Sequence, residues 1–131
     1  VSPRAAGAID VIGTGSLEDV PTRYREATVT VLPSVDEAFG LVLVESLACG
    51  TPVVAVASGG LPEIVTPDAG VGTLAPVGDV TALADAIIAA VALAADPSTP
   101  ARCAAHAQNW SWDEVGPDHL AAYQAALSYS K

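Results

Sequence analysis

Short apolar runs rich in β-branched residues alternate along the chain with stretches whose apolar positions recur at helical spacing. The changes of pattern fall at Gly or Pro. Residues 8–12 form the first run; Gly13 and Gly15 follow, so the pattern predicts a strand entering a turn. Ser16 with Glu18 and Asp19 opens a helix running to about residue 27, with Pro21 tolerable near its start. Residues 28–32 predict a buried strand closed by Pro33 and Ser34. After a loop over 33–40 come a helix over 41–49, stopped by Gly50 and Pro52, and a second buried strand over 53–56. Residues 61–65 read as a short helix with Pro62 in its first turn, and 70–76 as loop with a possible short strand. Asp79 caps a long helix from residue 80 to about 95, ended by Asp96 and Pro97. Two further helices, 99–109 and 113–129, meet at Trp110–Ser111–Trp112.

Buried strands alternating with helices predict an α/β fold: a parallel sheet with right-handed crossovers, covered on both sides as a three-layer α/β/α Rossmann-like domain. Three strands and a stub are fewer than the five or six of a doubly wound sheet. We therefore expect one domain over residues 1–131 that lacks its first strands. Composition agrees, because the chain contains no Met and opens on Val1, as expected of a piece of something longer.

In such sheets ligands bind beyond the carboxyl ends of the strands, here at the loops 33–40 and 58–61. Gly40 before the 41–49 helix would let an anion approach the free N–H groups of the helix start. Glu45 has Leu41, Val42, Ala48 and Cys49 at its i±3 and i±4 positions, a pattern that predicts a helix buried nearly all round. A buried carboxylate needs a partner, and a ribose diol is a suitable one. The alternative is a solvated edge shared by Glu45 and Ser46.

Several residues in register carry a family resemblance. They are Pro33–Ser34, Glu37–Ala38–Phe39–Gly40–Leu41, Glu45–Ser46–Leu47–Ala48–Cys49–Gly50–Thr51–Pro52–Val53–Val54, Ser58–Gly59–Gly60–Leu61–Pro62–Glu63–Ile64–Val65 and Gly78–Asp79. Together they resemble the signature of retaining family 4 glycosyltransferases, whose paired glutamates correspond to Glu37 and Glu45, with seven residues between them. The resemblance implies the C-terminal, donor-binding half of a GT-B fold, with an N-terminal acceptor domain absent from this chain. It implies that Glu45 holds the ribose of a nucleotide sugar and that Glu37, Phe39, Gly40 and Leu41 meet the donor sugar or diphosphate. Ile12 and Gly13 would lie beside the base. It implies no metal or other cofactor and no catalytic side chain that can be named with certainty.

The resemblance implies an Arg and a Lys for the diphosphate located before the stretch seen here, and this chain has no Lys or Arg between Arg25 and Arg102. With the acceptor domain absent as well, the isolated chain is expected not to catalyse transfer. A non-catalytic interaction module derived from the fold is the rival reading, and a nucleotide-sugar epimerase a more distant one. His106, His119, Trp110 and Trp112 read as structural, Cys49 and Cys103 as small apolar fillers.

Charge narrows the partners. A net −10, from 15 acidic and 5 basic residues, argues against nucleic acid and anionic membranes. The longest apolar run, 86–95, is too short for roughly 30 Å of hydrocarbon. Two distant cysteines and no apparent signal segment fit a reducing cytosol. Surfaces uncovered by missing strands are expected to make the chain self-associate, as a dimer.

Overall fold

The computed structural model describes residues 6–129. A 3-10 turn at Ala6–Ala8 and an irregular segment lead to α1 (Val20–Glu26), and then β1 (Thr30–Leu32), α2 (Leu41–Ala48) and β2 (Val53–Val56) follow. The chain continues through α3 (Leu61–Ile64), β3 (Gly72–Ala75), α4 (Val80–Ala94), α5 (Thr99–Ala107) and α6 (Trp112–Ser128). The strands pair in parallel in the order β1-β2-β3, Thr30 opposite Val53 and Val53 opposite Gly72.

Every residue of β2 is buried, because helices cover both faces of the central strand. Val53, Ala55 and Val56 pack with Leu43, Leu47, Leu61, Ile64, Cys103 and Ala107 of α2, α3 and α5. Val54 faces the opposite way, with Ala75, onto Ala86 and Ala90 of α4. Val53, Val54 and Ala55 alternate across the strand and so give the expected three layers, while Val56 at the strand end packs with the first cluster. Each large side chain fully buried this way contributes about 1.5–3 kcal/mol.

Asp79 caps α4 as expected, its Oδ1 accepting from the Ala82 N–H at 2.9 Å. Two expectations fail. Residues 9–12 are not a strand; Ile9, Val11 and Ile12 are exposed. An extended run is stabilised by a neighbour to bond to, and none of the described strands lies beside this one. Trp112 is 77% exposed and is no core anchor: α6 buries none of its residues, and the ring meets His119 of the same helix edge to face at 5.8 Å. Trp110, in contrast, packs against the core and meets His106 edge to face at 5.1 Å. No single described helix is long and apolar enough to cross a membrane.

Candidate functional site

The loops after β1 and β2 are bound to each other at the carboxyl end of the sheet. The Asp36 N–H donates to Ser58 Oγ at 2.9 Å, and the Gly60 N–H donates to the Glu37 carbonyl at 2.9 Å. Two glycines allow this approach. A Cβ on Gly59 would stand 2.1 Å from the Glu37 carbonyl oxygen, and one on Gly40 would stand 2.6 Å from Leu61 Cδ2. Gly40 also precedes α2 in a left-handed conformation, φ 97°, which turns the chain from the loop into the helix.

This packing folds Glu37 back over the start of α2, its Cγ 3.8 Å from where a Gly40 Cβ would sit. Glu37, Phe39, Gly40 and Leu41 line one cavity of about 260 Å³, together with Leu32, Ala38 and Val42. The sequence-derived donor-sugar residues therefore meet in one place. The first-turn N–H groups of α2 lie at its edge and favour an anion there by about 0.3–1 kcal/mol per charge contact.

Glu45 lines a neighbouring cavity of about 530 Å³ with Leu17, Val20, Pro21, Tyr24, Val42, Ala48 and Cys49. Val42 belongs to both cavities, so they adjoin along one face of α2. The expectation that this helix is buried nearly all round is wrong. Leu43, Ser46 and Leu47 are buried, whereas Leu41, Val42, Glu45 and Ala48 are exposed. The apolar residues around Glu45 line a cavity instead of filling a core, a distinction that periodicity does not carry. Cys49 is likewise half-exposed rather than a core filler, unlike the buried Cys103.

Tyr24 is the residue that sequence reasoning missed. Its Oη donates to Glu45 Oε2 at 3.1 Å. Burial first, and then the adjacent carboxylate, push its phenol up to about 12 from the usual 10.0. A raised phenol pKa stabilises the fold fully below pH 10.0 and loses that contribution as pH climbs towards 12. Thermal unfolding of wild type and Tyr24→Phe should therefore converge over that alkaline window; parallel curves would refute the contact. No sequence signal marks Tyr24, because it reaches Glu45 only once α1 lies against α2.

Ile12 and Gly13 line neither cavity, and nothing stands within 4 Å of a Cβ built on Gly13. The cations among the described residues lie elsewhere. Arg23 and Arg25 are on exposed positions of α1; Arg102 is held by Asp96 at 3.0 Å and by the Gly70 carbonyl at 3.3 Å. Contacts from Ser98 and Arg102 keep the Asp96 carboxyl down at about 2. His106 bonds the Ile64 carbonyl at 2.9 Å, and the exposed His119 bonds that of Val115, both structural contacts.

Residues 5–110 match the glycosyl transferases group 1 family. The chain belongs to that family. Its α/β fold with three parallel strands is that of the GT-B glycosyltransferases. This group 1 domain is 45% identical over 107 residues to the D-inositol 3-phosphate glycosyltransferase of Kribbella flavida, covering 79% of the chain and 24% of that relative. The enzyme of the same name from Mycobacterium tuberculosis is 45% identical over 112 residues, covering 83% of the chain and 23% of its own length. The domain thus spans about a quarter of these relatives. Sucrose-phosphate synthase from Thermosynechococcus elongatus superimposes with a TM-score of 0.82 at 32% identity, covering 96% of this chain and 32% of that one. HepE of Anabaena, solved with UDP and glucose, superimposes at 0.68 with 26% identity, covering 92% of this chain and 32% of its own.

Proposed function

We propose that this domain binds the nucleotide-sugar donor of a retaining glycosyltransferase whose acceptor site lies on residues outside the chain. The observation that carries the reading is the adjacency of the two glutamate-lined cavities along one face of α2, with Val42 on both. Glu45 would accept hydrogen bonds from the ribose hydroxyls. Glu37 would accept from hydroxyls of the sugar, and the backbone of Phe39, Gly40 and Leu41 would meet the sugar or the diphosphate. Neither carboxylate needs to attack the sugar; the diphosphate would leave and take the acceptor's proton. The proposal calls on no metal. By itself the domain binds donor without transferring it, since it spans about a quarter of its relatives' length. Their name makes a cyclitol phosphate one acceptor to test, and the UDP beside HepE makes UDP-sugars the first donors to try.

A second reading, an interaction module that has lost its ligand, draws on one observation: Arg102 is engaged away from the cavities and no other described cation lies closer in sequence to Glu37 or Glu45 than Arg25. Ligand-observed NMR with UDP-, GDP- and ADP-sugars separates the two. The donor reading expects one nucleotide class to bind, and Glu45→Ala to weaken it by about 10- to 100-fold, the worth of one or two hydrogen bonds to a charged group. Saturation transfer that is equal in wild type and Glu45→Ala would defeat it.

A further inference from the structure

Tyr24 has no part in the donor reading as it stands, yet its hydroxyl meets the residue on which that reading depends. We propose that Tyr24 is a positioning residue for nucleotide recognition: its phenol fixes the Glu45 carboxylate so that the second oxygen faces a ribose diol. The inference rests on the nucleotide-sugar reading above.

The roll of α2 is set from below. Ser46 is fully buried; its hydroxyl donates to the Thr51 carbonyl at 3.1 Å, leaving its Oγ to accept from the Thr30 hydroxyl at 2.8 Å. One residue along a helix is a rotation of about 100°, so pinning Ser46 inward turns Glu45 towards α1. The same Thr51 holds the other partner, its Oγ1 donating to the Tyr24 carbonyl at 2.5 Å. Both ends of the Tyr24–Glu45 contact are therefore anchored through one residue at the entry to β2.

The contact occupies one carboxylate oxygen. Among the described residues nothing bonds Oε1, which keeps its acceptor capacity for the ligand. Leu17, Val20, Pro21, Val42 and Ala48 line the same open cavity as the pair, which leaves the carboxylate accessible to a ligand. Without the phenol, a glutamate on an exposed helix face would sample many rotamers, and binding would have to order it.

The test compares binding of UDP, GDP and ADP with analogues lacking both ribose hydroxyls, using the chain itself as wild type, Tyr24→Phe, Glu45→Gln and the double variant. Phe keeps the ring in the cavity, so folding is preserved. Tyr24→Phe should lower ribonucleotide affinity about 3- to 10-fold and leave the dideoxy analogue unchanged, a split that a merely structural role would not produce. Glu45→Gln should abolish the ribose preference, and the double variant should be no worse. In Glu45→Gln the phenol should also ionise below its wild-type value of about 12. Ribose preference retained in Tyr24→Phe but lost in Glu45→Gln would overturn the positioning role alone, as would an unchanged phenol titration. Preference retained in Glu45→Gln, or no binding by any variant, would overturn the donor reading and this inference with it.

Discussion

Gly59→Ala should lower stability by about 2–4 kcal/mol and loosen the site at the same time. Its φ is +55°, and an added Cβ would stand 2.1 Å from the Glu37 carbonyl oxygen. That neighbour is backbone, which cannot rotate aside, so the two loops must separate. Separation breaks the Gly60–Glu37 and Asp36–Ser58 hydrogen bonds and releases the segment that places Glu37. Gly78→Ala provides the control, with a φ of +79° and nothing within 4 Å of its Cβ position. It should cost only the left-handed penalty, about 1 kcal/mol. Urea unfolding of both variants checks the argument. Equal losses would mean that crowding against Glu37 is not what Gly59 relieves.

The second large effect belongs to the core. Leu47→Ala should destabilise by about 2–5 kcal/mol through lost burial and the cavity left behind. That is a large share of the ~5–15 kcal/mol that holds a domain together. Leu47 is fully buried on α2, in the cluster that joins α2, α3 and α5 to β2. Leu127→Ala on α6 removes the same atoms from a side chain 72% exposed. It should stay within about 0.5 kcal/mol of wild type. Because α2 carries Glu45 and follows directly on Gly40, Leu47→Ala should also weaken nucleotide binding at temperatures where the domain is still folded. Similar denaturation midpoints for Leu47→Ala and Leu127→Ala would contradict the core assignment.

Much of this was legible in the chain before any coordinate. The 53–56 strand, Asp79 as the cap of α4, and Gly50 with Pro52 after α2 all depend on local chemistry: β-branching, an Asp ahead of a helix, residues that cannot continue one. The meeting of Glu37, Phe39, Gly40 and Leu41 at one cavity was legible too, because they lie within five positions where the loop after β1 enters α2. Other features were not. The 8–12 run has strand composition but no described strand beside it, and pairing is a property of two segments, not one. Trp112 has the character of an anchor, yet α6 finds no surface to bury it.

Glu45 marks the division most clearly. Residue order alone puts a carboxylate among apolar neighbours on the helix after the Gly40 turn, and shows which family carries that pattern. That those neighbours line an open cavity, and that Tyr24, 21 residues earlier, donates to the carboxylate, follows from how the helices pack. Periodicity records which side chains share a helix face. What covers that face depends on where α1 comes to rest, and that is decided by packing between elements.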